Sequence, residues 1–298
     1  MFDWDRSALA PDAPTPLCIA TARDLAIVAV PNGVFRSTDG GARWEPCALD
    51  GILGNWPRAA WASDDGLVCV VGDGAYTQRG IVMISDDAGR SFRTIDAGTK
   101  APLQNVVGHG DVLWAVGHLG AALRSADRGR TWSYSQPGGT GILSGLCRDD
   151  AGRLWASGTG GLVLVSEDGH AWTTARRKGA QFLYGVARTS AGLLVAAGCR
   201  GSVFTSEDGA QWTARRTKTK AYFYAGATVT GDTAWVAGQE ERSPTALWSD
   251  DGRAWHPVAL GDDAGSMVHA IHGVSADEVW IASDRFVHRG RRRRAATP

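Results

Sequence analysis

The chain has no surplus charge of either sign: 31 lysines and arginines stand against 31 aspartates and glutamates. That balance gives no global field to draw in nucleic acid or an anionic membrane surface, and no nucleic-acid-binding motif is present. No apolar run approaches the length that crosses a bilayer as a helix. The start, Met1-Phe-Asp-Trp-Asp-Arg6, carries neither a basic segment nor an apolar stretch. It does not read as a secretory signal, and the expectation is a cytoplasmic protein. Five cysteines (Cys18, Cys47, Cys69, Cys147 and Cys199) form no C-x-x-C pair, and their number is odd. Four of them sit inside strand-like patterns, where a free thiol serves as a small apolar residue in a reducing compartment.

Several chemistries are missing as well. His269-Ala-Ile-His272 has a spacing like that of a metal site, but on a strand residues three apart face opposite sides. Gly158-Thr-Gly160-Gly161 and Gly198-Cys-Arg-Gly201 read as hairpin turns, and neither precedes a helix as a phosphate-cradling loop must. Ser166 and Ser206 have acidic neighbours, yet no histidine recurs to activate them as nucleophiles. These patterns predict no catalytic group, no metal and no cofactor.

What is present is repetition. The form S-x-D-x-G-x-x-W/F occurs from Ser37, Ser85 and Ser125, with aspartates Asp39, Asp87 and Asp127. A form one residue shorter occurs from Ser166, Ser206 and Ser249, with Asp168, Asp208 and Asp251. Successive serines lie 48, 40, 41, 40 and 43 residues apart. A period near 40 residues with four short strands per unit predicts an all-β propeller. Within the motif, the carboxylate can accept backbone N–H groups of its own turn, glycine supplies a positive φ, and the closing Trp covers the turn. This is the Asp-box, or BNR repeat, read here as a hairpin staple without chemistry of its own.

Unit five sets the template: Leu183–Thr189, Leu193–Ala197, Ser202–Ser206 and Gln211–Arg215 as inner, second, third and outer strands. The second strands are continuous apolar runs, as sheets buried on both faces require. Blades are expected at about 16–49, 57–96, 103–134, 142–175, 182–216 and 222–259. The segment 268–289 gives three more strands but no outer one. Phe2 to Leu9 matches Arg43 to Leu49 with Trp4 in the box-Trp position, so the N-terminal segment is expected to complete the last blade and close the ring. That makes a single seven-bladed β-propeller of four-stranded antiparallel blades over 1–290, with 291–298 as a basic disordered tail. Six blades with a loose tail is the alternative. The arginine-rich run Arg289 to Arg294 reads as a solubilising end, or else as a contact for an acidic partner.

Alternating strand direction puts all box turns on one face of the disc, and the opposite face is taken as functional by analogy with other propellers. Two connections there are basic: Arg176, Arg177 and Lys178 after blade 4, and Arg215, Arg216, Lys218 and Lys220 after blade 5. Arg200, Gln181, Tyr222 and Tyr224 fall beside them. Such a sector suits an acidic partner surface, a phosphate or a carboxylate; the competing reading is a solvated loop rim. The second positions of the inner strands, Arg58, Gln104, Ser144, Tyr184, Tyr224 and His269, would ring the channel mouth. They suit a small ligand or a peptide end, or else simply line water.

The boxes resemble those of sialidases and related glycoside hydrolases. That resemblance implies an arginine triad, a tyrosine nucleophile paired with glutamate, and an acidic proton donor. Arg58, Arg200, Tyr184 and Tyr224 could supply parts of such a site, with Glu240, Glu241 and Asp73 on the long loops of blades 6 and 2 as carboxylates. No Arg-Ile-Pro-type motif is present. A fuller likeness is to the seven-bladed photosystem II assembly-factor family, whose repeat reads roughly W-x-V-G-x-x-G-x-I-x-x-S-x-D-G-G-x-x-W. Leu113-Trp-Ala-Val-Gly117 leading to Ser125-Ala-Asp127-Arg-Gly129-Arg-Thr-Trp132 is similar to it, as is Leu154-Trp-Ala-Ser-Gly158 leading to Ser166-Glu-Asp168-Gly169. The likeness covers nearly the whole chain. It implies a non-catalytic platform that binds a protein partner or acidic ligand through a basic patch, here as a monomer. A glycan-binding lectin or a sialidase-like hydrolase is the alternative.

Overall fold

The computed structural model describes residues 2–10, 12–50, 55–74, 79–261 and 264–292. Among them the strands form seven antiparallel sheets in a ring. Blade 1 runs Cys18–Ala22, Leu25–Val30, Gly33–Ser37 and Glu45–Pro46 from channel to rim, and blades 2 to 6 repeat that order. Blade 7 takes Val268–Ser275, Glu278–Ser283 and Val287–Arg292 from the C-terminal end, and its fourth strand is Phe2–Ser7. Phe2 stands opposite Arg292 and Ser7 opposite Val287, so the N-terminal strand closes the ring as expected. Blade 2 carries a fifth strand: Ala48–Leu49 adds in parallel to its outer strand, opposite Ser91 and Phe92.

The core lies between blades. In the second strand of blade 1, Leu25, Ile27 and Ala29 pack toward blade 2, with Val68, Val70 and Met83. The alternate residues Ala26, Val28 and Val30 pack the other way, toward Trp280 and Val287 of blade 7. One strand thus serves two interfaces. This is why the second strands read as unbroken apolar runs: a two-residue side-chain period with both faces buried leaves no polar position.

On the box face each serine–aspartate pair ties its turn. Ser125 Oγ donates to Asp127 Oδ1 at 2.8 Å and accepts the Gly129 N–H at 2.9 Å, while Thr131 N donates to Asp127 Oδ1 at 2.9 Å. In the shorter form Asp208 Oδ1 accepts two successive N–H groups, from Ala210 and Gln211. Hydrogen bonds from the Thr131 hydroxyl and N–H hold the Asp127 carboxyl down at about 2. The box indoles of Trp132, Trp172 and Trp212 donate to the glycine carbonyls of their own turns.

Two expectations change. Arg289, Arg291 and Arg292 are not tail: all three lie in the strand Val287–Arg292, where Arg289 pairs with Glu278 at 2.7 Å. Residues 293–298 lie outside the described residues. Three cysteines rather than four lie in strands: Cys47 falls between the short strands Glu45–Pro46 and Ala48–Leu49, while Cys199 sits half-buried in the turn between the second and third strands of blade 5. All five are free thiols. Burial pushes those of Cys47 and Cys147 up to about 12. No helix among the described residues is long and apolar enough to cross a membrane.

Candidate binding site at the channel mouth

Six inner strands break register at a shared place near the channel mouth: between Pro57 and Ala59, Leu103 and Asn105, Leu143 and Gly145, Leu183 and Gly185, Tyr222 and Gly226, and Val268 and Ala270; that of blade 7 breaks again between Gly273 and Ser275. The residues left over are Arg58, Gln104, Ser144, Tyr184, the run centred on Tyr224, and His269. These are the six positions expected to ring the channel. A bulge leaves one residue unpaired and re-aims its side chain, and here that happens blade after blade. The inner strand of blade 1 pairs without a break.

The re-aimed side chains are mostly engaged. Arg58 Nε meets Asp73 Oδ1 at 2.8 Å, and Gln104 Nε2 lies 3.1 Å from His118 Nε2. His269 Nε2 lies 2.6 Å from Asp284 Oδ1, whose other oxygen accepts from Ser266 N and Oγ. Burial, with Arg58 nearby, lowers the pKa of His118. Ser144 is buried and offers nothing to the mouth. At blades 5 and 6 the lining is aromatic. Phe182 stacks on Tyr184 at 4.5 Å, Tyr184 meets Tyr224 edge-on at 4.8 Å, and Tyr222 stacks on Tyr224 at 5.5 Å. Burial pushes the Tyr184 hydroxyl up to about 12. Arg200 hydrogen-bonds to Tyr222, which raises its pKa. Trp56, Leu119 and Tyr224 present exposed apolar surface on this same face.

The basic sector needs one correction. Arg176 is only 9% exposed: its guanidinium lies over the Phe204 ring at 4.1 Å and donates to the Gly161 carbonyl. A bulge in the outer strand of blade 4 turns it inward, so it is a packing residue between blades. Arg215 is also partly committed, with Nε donating to Thr205 Oγ1 at 2.6 Å. Arg177 and Lys178 remain exposed beside a groove of about 600 Å³ floored by Phe204 and Trp212. Arg216, Lys218 and Lys220 are exposed around a shallow depression of about 940 Å³ between blades 5 and 6. Glu240 is not on a long loop. It ends the strand Thr233–Glu240, and its oxygens accept from Thr219 Oγ1 at 2.5 Å and Lys220 N at 2.6 Å. Asp73 likewise lies in a strand, Val68–Gly74.

Sequence reading missed Asp284, His118 and Phe182 as parts of the mouth. His118 and Asp284 each follow the strand next to their ring residue, while Phe182 stands just before the inner strand that carries Tyr184, and only the bulges bring the pairs together.

The sequence profile of the family described as Photosynthesis system II assembly factor YCF48 matches residues 20–287. The chain belongs to this family. No curated protein matches it at a significant level. A solved YCF48 bound to D1 peptide is 20% identical, with a TM-score of 0.73 over 98% of this chain and 97% of that one. YCF48 from Cyanidioschyzon merolae is 16% identical, with a TM-score of 0.75 over 96% and 98%. The GH74 xyloglucanase from Xanthomonas campestris is 16% identical, with a TM-score of 0.74 over all of this chain and 55% of that one. At such identities the likeness is one of fold. YCF48 proteins share that fold with sugar-cleaving enzymes, so the chemistry has to be argued from the site.

Proposed function

We propose that this member of the YCF48 family is a non-catalytic binding platform that takes an acidic segment of a protein partner on its mouth face. The observation that carries the reading is the company of free cations and aromatic surface there. Among the described residues no carboxylate pairs with Arg177, Lys178, Arg216 or Lys218, and the Phe182–Tyr184–Tyr224–Tyr222 cluster lies alongside. Rings and arginines beside a recessed mouth are what a peptide-binding surface needs: apolar area at low entropic cost, and donors for carboxylates. That a related YCF48 has been solved with a D1 peptide supports a peptide-like partner.

Glycoside hydrolysis fits poorly. It needs one carboxyl group that keeps its proton near neutrality, facing a second across the scissile bond. Asp284 is held below the usual carboxylate range by Ser266 and His269 against the opposing effect of burial, and Glu240 is lowered by Thr219 and Lys220. Both directions work against the acid role at these two carboxyl groups.

The test is affinity capture from source-cell lysate, read by mass spectrometry, for the parent beside Arg177→Glu/Arg216→Glu. A protein retained by the parent and lost by the variant is the expected result. Equal recovery by both removes the basic sector from the reading. Turnover of a fluorogenic sialoside or glucoside panel would overturn the non-catalytic part.

A further inference from the structure

Among the described residues blade 6 has the longest pair of second and third strands, with blade 2 next at 7 and 6 residues. The blade 6 pair, Thr233–Glu240 and Ser243–Ser249, are 8 and 7 residues long, against 5 and 4 for Leu194–Gly198 and Val203–Ser206 in blade 5. Glu241 and Arg242 alone connect them, at φ 48° and 77°. A two-residue turn with both φ values positive favours Asn-Gly, and side chains with a Cβ adopt it at a cost. The lengthened hairpin reaches the connection from blade 5 to blade 6 and sets Glu240 into it.

The Glu240 carboxylate is received there as a ligand would be. One oxygen takes the Thr219 hydroxyl and the other the Lys220 N–H, within a depression lined by Arg215, Arg216 and Lys218. The same connection occurs a second time in the chain. Thr99-Lys100-Ala101 joins blades 2 and 3, and Thr99 Oγ1 accepts from Ala101 N at 3.0 Å, as Thr219 Oγ1 accepts from Ala221 N at 3.1 Å. Among the described residues no carboxylate meets Thr99 or the Lys100 N–H. The turn therefore forms without an acid, and Glu240 is an addition to it.

We propose that Glu240 is the internal occupant of a carboxylate-binding site at Thr219 and Lys220, and that a carboxylate of an acidic partner segment displaces it on binding. This rests on the reading of the basic face as the partner surface. Exchange of one carboxylate for another conserves both hydrogen bonds at the receiving loop, so the net gain comes from the partner's further contacts with Arg216 and Lys218. Until then Glu240 lowers the fraction of molecules with the site open, and apparent affinity falls by that fraction. The contact is a built-in brake on weak acidic ligands.

Fluorescein-labelled hexaglutamate, titrated by anisotropy against the full chain at low salt, tests this. Glu240→Gln keeps the side-chain shape and should tighten binding by about fivefold or more as the open fraction rises; Glu240→Ala should do the same. Lys218→Glu should weaken it. Thermal unfolding of each variant checks that the ring is intact. Equal affinity of parent and both Glu240 variants, with Lys218→Glu weaker, overturns the internal occupant and leaves the basic surface standing. Indifference to Lys218→Glu as well overturns both.

Discussion

At the scale of the residue, the box serine does more than its aspartate partner suggests. Ser125 is 1% exposed, and its oxygen is the acceptor for the Gly129 N–H at the tightest point of the turn. Replacing it by alanine leaves that buried N–H without a partner, at a cost of about 1–3 kcal/mol. Ser125→Ala should therefore lower the unfolding free energy by that amount in urea titration, with little change in slope. A loss well under this range would mean that water reaches the amide. Arg176 teaches the converse lesson. In sequence it is one of three adjacent cations; in the fold a single bulged residue turns it onto Phe204 and away from the neighbours it was grouped with.

At the scale of the element, the N-terminal strand is held by more than its ladder. Phe2 meets Trp235 edge-on at 4.8 Å and Trp4 does so at 6.5 Å, so the strand that closes blade 7 is also seated on blade 6. Trp4 is half-buried, and Trp4→Ala should cost about 2 kcal/mol, under the range for a fully buried ring. The same variant should self-associate more readily on size exclusion, because a loosened outer strand uncovers the edge of Val287–Arg292. Unchanged stability and elution would show that the ladder alone suffices. This closure was legible because Trp4 repeats a box pattern, and so were the blades, because buried second strands cannot hide their apolar runs. The bulges were not legible. An inserted residue leaves composition and period almost untouched, and only the register across the strand pair shows which side chain is turned out. The blade 6 hairpin escaped for a related reason: its Glu241–Arg242 turn lacks the glycine or asparagine that usually marks one, so two long strands read as a loop.

At the scale of the whole molecule, a formal charge of zero conceals an uneven spread of charge over two faces that each carry both signs. The box face carries Asp39, Asp87, Asp127, Asp168, Asp208 and Asp251 from the repeated turns. It also carries Asp65, Asp86 and Asp111, which converge on Arg128. The mouth face carries Arg177, Lys178, Arg200, Arg216, Lys218 and Lys220 exposed. On the proposed reading, exposed cations gathered on one side of a neutral disc orient an acidic partner before contact, through a field that salt shortens to about 8 Å at physiological ionic strength. Association of an acidic partner with the parent should slow steeply as salt rises from low to physiological concentration, with dissociation changing less. For Arg177→Glu/Arg216→Glu the dependence should be much flatter. A salt-independent association rate for the parent would take steering out of the account.

The pairing of Phe2–Ser7 with Val287–Arg292 also imposes an order in time. The strand Phe2–Ser7 precedes every other described strand in synthesis and is the last of them to find its partner. At the usual pace of translation it waits roughly 15 to 60 seconds for the residues that complete blade 7. Throughout that interval the face of blade 1 carrying Ala26, Val28 and Val30 has nothing to rest against. Six blades can stack as they emerge, but the seventh interface forms only when the strands of blade 7 exist. The nascent protein is therefore an open arc with an exposed apolar end. Its moment of greatest need for a chaperone is set by the distance in sequence between the two strands that close blade 7.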